Sequence, residues 1–374
     1  MPAGPAVLDV ADELIALLDG TAAYLPLPPE TGDPTALLLK EALGADQPIA
    51  DDAALVIATS GTTGVPKGAV HTAATLRASA RATARRLGGP GNWLLALPAH
   101  HIAGLQVLLR ALAAGHLPGV LDVSAGFDVE EFIAAADTLR GPRRYTSLVP
   151  TQLLKVLESP SATKVLSEFD AVLIGGAATP PSLRLRAEQA GVRIVATYGM
   201  SETAGGCVYD GMPLDGVRVR ITESGRVALG GPTVAHGYRN LPDHPSFAET
   251  GWFLTDDLGR VDDGVLSIIG RADEAISTGG LTVVPQVIEA VLLEDAAVAQ
   301  CAVVGVHDER LGQRVVAVVV AAGDVEPTLD ALAGRVSEQC DRFAAPRELF
   351  IVDALPMRGP GKVDRRALRA QLEG

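Results

Sequence analysis

The sequence predicts an α/β protein. A large N-terminal domain, residues 1–271, is expected to hold a mostly parallel sheet with helices plus a small antiparallel sub-domain, and a smaller mobile α+β domain, residues 272–374, to follow it. Three observations predict this. Between residues 53 and 196 short apolar runs alternate with helical stretches, the pattern of repeated strand–helix units. After Gly205 the texture changes to short strands and turns, and from Ala272 a second α/β pattern starts. A chain of 374 residues also exceeds what one hydrophobic core usually serves.

Residues 1–50 read as an amphipathic helix, a Pro-rich link from Pro26 to Pro34, and a short helix at Thr35–Leu43. Strand-like runs follow at Ala53–Ala58, Trp93–Leu97, Arg144–Val149, Ala171–Ile174 and Val192–Ala196. Helical spacing falls between them, at Thr72–Leu87, Gly104–Ala114, Thr151–Leu157 and Pro181–Ala190. The short strands Val217–Thr222, Arg226–Leu229 and Val265–Ile269 make up the sub-domain. Beyond the boundary at Arg271–Asp273 come helix Pro285–Leu293, strands Ala299–Val306 and Val315–Val320, helix Thr328–Glu338 and strand Leu349–Val352. The boundary is a turn with no low-complexity linker, which suits a hinge.

Composition excludes several functions. With 31 basic and 45 acidic residues the formal charge is −14, a poor match to a nucleic-acid backbone or an anionic membrane. Two Trp, five Tyr and seven Phe are too few for base-stacking platforms. Three cysteines without CxxC spacing suggest neither a disulfide framework nor a zinc site, so a cytoplasmic location fits. The N-terminus is acidic where a signal peptide is basic, and the most apolar region, Leu94–Leu121, is interrupted by His100, His101, Arg110, His116 and Pro118. No membrane insertion is expected. A homodimer is compatible with the chain.

The stretch TSGTTGVPKG, Thr59–Gly68, follows an apolar run and is dense in Gly, Ser and Thr. Its amides and hydroxyls can converge on an anion and Lys67 adds a cation, so polyphosphate is the expected guest. It is no Walker loop, because Pro66 and Gly68 flank the lysine where glycine and Ser/Thr are required. Further on, GGAATP (175–180) puts a glycine pair at a strand end where a flat ring could pack, although a plain strand–turn–helix corner would read the same way. YGMSET (198–203) offers an aromatic ring beside glycine and a hard carboxylate, Glu202, able to hold Mg²⁺ between phosphates.

Together with GWFLTDDLGR (251–260), GRADEAISTGG (270–280) and LPMRGPGKVDRRAL (355–368), these strings resemble, in order, the motifs of the adenylate-forming superfamily. Acyl-CoA synthetases, adenylation domains of peptide synthetases and luciferases make up that superfamily. The resemblance implies that Thr59, Ser60, Gly61, Thr62, Thr63, Gly64 and Lys67 hold the phosphates of ATP, with Thr62 and Glu202 on Mg²⁺. It places Gly176, Ala177, Ala178, Tyr198, Gly199, Met200, Ser201 and Thr203 around adenine and phosphate, and Gly175 and Gly205 beside the acid. Asp257 would take the ribose hydroxyls and Arg271 the ribose or phosphate. Asp256 stands where the family usually has glycine. Asp273 is the implied hinge, Gly279, Gly280 and Leu281 line the tunnel for coenzyme A, and Lys362 is the catalytic lysine.

The chemistry explains these types. A carboxylate attacking the α-phosphate of ATP brings two anions together, and Lys362 with Mg²⁺ can offset that repulsion in a water-poor site. A thiol then attacks the acyl-AMP carbonyl, and two chemistries at one carbonyl suggest a moving C-terminal domain. With residues 1–58 ahead of the loop, VPTQLLK at 149–155 and YGMSETAGG, the chain is similar to the o-succinylbenzoate:CoA ligases of menaquinone biosynthesis, in their short actinobacterial form. That likeness implies a second substrate anion, for which Lys155 is a candidate; a solvated helix lysine is the alternative. His101, in LPAHHIAGL, aligns with a family histidine near the acid, which implies a catalytic residue that gates or lines the acyl site, with ordinary packing as the alternative; neighbouring strand positions point to opposite faces, which argues against a metal site on the pair. Another aryl- or acyl-CoA synthetase, a free-standing domain loading a carrier protein, and a non-catalytic nucleotide-binding module remain competing readings.

Overall fold

The computed structural model describes residues 1–29, 33–59, 66–323, 325–357 and 362–373. It divides into two units. The first comprises Met1–Arg220, Ala228–Thr255 and Asp263–Leu266, and the second Ile221–Val227, Asp256–Asp262 and Ser267–Gly374.

In the first unit a 3-10 turn at Gly4–Val10 leads into α1 (Ala11–Asp19), and the Asp33 carboxylate caps α2 (Pro34–Ala42) by accepting from the Thr35 amide. β1 (Ala53–Thr59) pairs antiparallel with β2 (Lys67–Thr72) in a two-stranded sheet of its own. This corrects the expectation that the Ala53–Ala58 run belongs to the parallel sheet; the partner strand KGAVHT was hidden because Lys67, Gly68 and His71 break its apolar alternation. Thr72 then caps α3 (Ala73–Arg86).

The main sheet uses β3 (Asn92–Leu95), β4 (Gly119–Val120), β5 (Arg144–Leu148), β6 (Ala171–Ile174), β7 (Ile194–Met200), β8 (Gly205–Tyr209) and β9 (Met212–Pro213). Their order is β4-β3-β5-β6-β7-β8-β9, parallel from β4 to β7 and antiparallel thereafter. The connections carry α4 (Ile102–Ala113), α5 (Val129–Ala136), α6 (Pro150–Glu158), α7 (Pro160–Ser167) and α8 (Pro181–Gln189). Sequence patterning marked neither α5, capped by Asp128, nor α7, capped by Ser159. Phe132, Leu153, Leu166 and Leu183 from these four later helices close over Val172 and Ile174 in one core. The β3-to-β4 step runs opposite to the later ones, so a right-handed crossover puts α4 on the other face. The carboxyl ends of β3, β5, β6 and β7 therefore share one edge, where α/β sheets take ligands.

β10 (Arg218–Ile221), β11 (Arg226–Gly230), β12 (Trp252–Asp262) and β13 (Val265–Arg271) form a four-stranded sheet in that order, and the division between the units falls inside these strands. In the second unit, β14 (Ile276–Thr278), β15 (Leu281–Val283), β16 (Val298–Asp308), β17 (Gly312–Ala321) and β18 (Glu348–Ile351) make one sheet. Alternate residues of the β16–β17 pair feed two cores: Val303, Val315 and Ala317 face α9 (Pro285–Leu292) and α10 (Leu329–Gln339), while Val304, Val316 and Val318 face α11 (Arg365–Glu373). No helix among the described residues is long and apolar enough to cross a membrane.

Candidate active site

The β1–β2 hairpin sets Thr59 opposite Lys67, so the two stems of the expected phosphate loop lie side by side. Ser60, Gly61, Thr62, Thr63 and Gly64 lie outside the described residues. Asn240 fixes the loop's exit: its side-chain oxygen accepts from the Gly68 amide at 3.2 Å and its NH₂ donates to the Pro66 carbonyl at 2.8 Å. Gly68 is required there, because a Cβ would lie 2.7 Å from Val56 and 2.9 Å from Leu43. Lys67 Nζ stands 4.8 Å from the centre of the Tyr238 ring, within cation–π range.

The Tyr238 hydroxyl donates to Glu202 Oε1 at 2.6 Å, so Lys67, Tyr238 and Glu202 form one chain of contacts. Glu202 is buried, in the short 3-10 turn Ser201–Thr203 that joins β7 to β8 at the ligand edge of the sheet. Three carbonyls at the turn are held. His71 holds that of Ser201 at 2.7 Å, the Ala235 amide donates to Glu202 O, and Ser79 and Gln106 both donate to Ala204 O. These bonds hold Ala204 at φ 53°, an uncommon left-handed conformation for a residue with a side chain. Thr203 is fully buried and its hydroxyl bonds the Met200 amide and the Gly205 carbonyl, so its side chain shapes the turn instead of facing the nucleotide as expected.

The other candidates sit at the same edge. Tyr198, Gly199 and Met200 are part of β7 and not a loop after it, and Gly199 pairs with Gly206 so closely that a Cβ would meet the Gly205 carbonyl at 2.2 Å. Gly205, at φ 85°, is buried against Gln106. Gly175 follows β6 packed on Thr197, and Gly176, Ala177 and Ala178 are exposed beyond it. His101 is the exposed N-cap residue of α4, and its ring centre lies 4.2 Å from that of His100. The two belong to a turn and not to a strand, which is why their rings meet instead of pointing to opposite faces. Burial, followed by the neighbouring charge of His101, pushes His100 down to about 4. No group of three or more metal-ligating side chains occurs among the described residues. Lys155 is exposed on α6, whose Leu153, Val156 and Leu157 face the core, and no carboxylate among the described residues pairs with it.

In the second unit Arg271 collects the expected ribose and hinge residues. It donates to both oxygens of Asp273 at 2.8 and 2.7 Å and lies 3.4 Å from Asp257, whose side chain is only 12% exposed. Burial opposes the guanidinium's charge, but the bond and charge of Asp273, then Asp257 and Glu274, outweigh it and hold its pKa above the ordinary value. Asp256 lies in β12 without a positive φ, so the glycine usual at that point is not needed here, and its carboxylate pairs with Arg226 at 2.8 Å. Gly279 and Gly280, at φ 59° and 81°, make the two-residue turn between β14 and β15 that presents exposed Leu281. Lys362 is exposed, just ahead of the bridge between Val363 and Met357.

The model of the AMP-binding enzyme family matches residues 8–239, and that of the AMP-binding enzyme C-terminal domain residues 287–362. The chain belongs to the AMP-binding enzyme family. It is 54% identical to a probable 2-succinylbenzoate–CoA ligase of Mycobacterium tuberculosis (strain H37Rv), over 100% of this chain and 98% of that one. A 2-succinylbenzoate–CoA ligase of Geobacillus sp. (strain WCH70) is 32% identical over 85% of this chain and 69% of its own. Among solved structures, o-succinylbenzoate CoA synthetase (MenE) from Bacillus subtilis in complex with the acyl-adenylate intermediate OSB-AMP superposes with a TM-score of 0.72. It is 28% identical, over 86% of this chain and 69% of that one.

Sequence reasoning missed three contributors to the site of this AMP-binding enzyme. Tyr238 and Asn240 lie in residues 233–240, which show neither helical nor strand periodicity and so carried no signal. His71 is the third. It is fully buried, and since a carbonyl can only accept, its Nε2 carries the proton donated to Ser201. Burial pushes its pKa down to about 4 against the pull of that bond, with the charge of His236 adding to the fall. Below about pH 6.5 the unfolded chain takes up a proton that folded His71 refuses, so stability present above that pH is lost as pH falls toward 4. About 3 kcal/mol is at stake. His71→Gln should flatten this part of the slope in denaturation midpoints measured from pH 7 to 4.5; an unchanged slope would assign the titration elsewhere.

Proposed function

We propose that the protein is an ATP-dependent 2-succinylbenzoate–CoA ligase of menaquinone biosynthesis, acting in the cytoplasm. The observation that carries this reading is the 54% identity, over essentially both whole chains, to the probable ligase of that name. The chain carries residues of the types that the reaction needs. The substrate carboxylate attacks the α-phosphate of ATP and expels pyrophosphate; the thiol of coenzyme A then attacks the acyl-AMP carbonyl and expels AMP. The phosphate-loop stems Thr59 and Lys67 and the Ser201–Thr203 turn stand together, with Tyr198 and the 175–178 corner on neighbouring strand ends. Asp257 and Arg271 are assigned to the ribose, Lys362 to the carboxylate, and Gly279, Gly280 and Leu281 to the path of the thiol.

Mg²⁺ is part of the proposal. It commonly keeps several waters and takes one or two protein carboxylates beside substrate phosphates, so the fixed, buried carboxylate of Glu202 is a fitting ligand. Bound there, the ion would neutralise phosphate charge. Asp273 is assigned as the pivot on which the second unit turns between the two half-reactions.

Lys155 is proposed to pair with the second carboxylate of the substrate. Lys155→Ala should raise the KM for 2-succinylbenzoate roughly 10-fold or more, as expected for a lost charge-assisted contact, and leave that of an analogue lacking the ring carboxylate nearly unchanged. Equal effects on both acids would remove Lys155 from the site. Acid-dependent AMP formation with free coenzyme A tests the acceptor; AMP release only with a phosphopantetheinyl carrier protein would overturn the CoA ligase reading.

A further inference from the structure

Three residues beyond Lys362, Arg365 opens α11 with its side chain only 17% exposed. Both of its terminal nitrogens engage Glu289 of α9, Nη1 also reaches the Val303 carbonyl at 3.2 Å, and Nε donates to Glu274 at 2.8 Å. Glu274 adjoins the hinge candidate Asp273 and also accepts from Gln286, whose side-chain oxygen in turn accepts from the Arg271 amide. The stem of the lysine is fastened as well. Val363 bridges to Met357, the Asp364 amide donates to the Pro356 carbonyl at 2.8 Å, and the Asp364 carboxylate accepts from the Ala367 amide.

Stability alone is a weak reason for such a cluster, because buried ion pairs can often be exchanged for apolar residues at little loss. What a guanidinium adds is a rigid fork that fixes its partners in direction as well as distance. We propose that Arg365 is a positioning residue for Lys362, clamping the base of the lysine segment to the hinge turn at Glu274 and to Glu289 so that lysine and hinge turn move as one piece. The inference depends on the reading of Lys362 as the adenylating lysine.

Arg365→Gln and Glu274→Gln are made alone and together with Lys362→Ala. Acid-dependent pyrophosphate exchange, thioester formation from supplied acyl-AMP, and amide hydrogen exchange at Asp364 are measured. Glu274→Gln leaves the Arg365–Glu289 pair intact and guards against a folding failure of the other variant. With Lys362 present, Arg365→Gln should lower adenylation roughly 10-fold or more, the scale of a displaced catalytic group. In the Lys362→Ala background it should cost less than about twofold, since residues acting as a unit are not additive. Thioester formation should change little, and the Asp364 amide should exchange faster. Glu274→Gln should show a smaller loss with the same dependence on Lys362. Equal losses with and without Lys362, or unchanged amide protection, overturn the clamp. Absence of acid-dependent exchange in the unmodified protein overturns the ligase reading instead.

Discussion

Lys362→Ala should slow acyl-adenylate formation by roughly 10²-fold or more, the scale on which a preorganised electrostatic group acts at a transition state. In that transition state a carboxylate and a triphosphate, both anionic, share one site, and charge moves from the attacking oxygen toward the departing pyrophosphate. A cation that bridges the two gains contact strength as the bond forms, so its loss should appear in kcat more than in KM. Thioester formation from supplied acyl-AMP has no pyrophosphate to expel, and it should stay within about threefold of the unmodified rate if lysine serves the first step alone. Assaying the two half-reactions separately checks this. Equal slowing of both would reject the assignment of Lys362 to one step.

Glu202→Gln is expected to be the next most damaging change, lowering adenylation on the order of 10²-fold at a fixed Mg-ATP concentration. The amide can still accept the hydrogen bond from Tyr238, so the turn between β7 and β8 should keep its place. It cannot supply the negative charge that a hard divalent cation requires. Raising Mg²⁺ should recover part of the rate, and the thioester half-reaction should be spared. Loss of both halves together, without recovery by Mg²⁺, would make Glu202 a structural residue.

The placement of many candidate residues was legible because they follow strand ends. The apolar runs that became β3, β5, β6 and β7 predicted parallel strands, and the residues after them, His101, Gly175–Ala178 and the Ser201–Thr203 turn, fell at the ligand edge. What escaped has physical causes. β2 was hidden because a lysine, a glycine and a buried histidine occupy a six-residue strand, and only the pairing of Thr59 with Lys67 shows that β1 and β2 are partners. Tyr238 owes its place to contacts with Lys67 and Glu202, residues distant in the chain, and no local pattern encodes such contacts. His71 would pass for a surface residue in sequence; its burial and its grip on Ser201 come from the packing of the hairpin on the turn. The Asp256 substitution is the reverse case. It stands where the family usually has glycine, yet it lies in an extended strand with Arg226 as its partner, where no glycine is needed.

Pyrophosphate release tests the central claim most directly, with ATP, Mg²⁺ and one acid at a time drawn from 2-succinylbenzoate, benzoates, cinnamates and fatty acids. Release should be dependent on the acid and greatest, by kcat/KM, for 2-succinylbenzoate. Preference for a long-chain fatty acid would contradict the substrate assignment, and no acid-dependent release from any of them would contradict the claim that this protein is an adenylate-forming ligase.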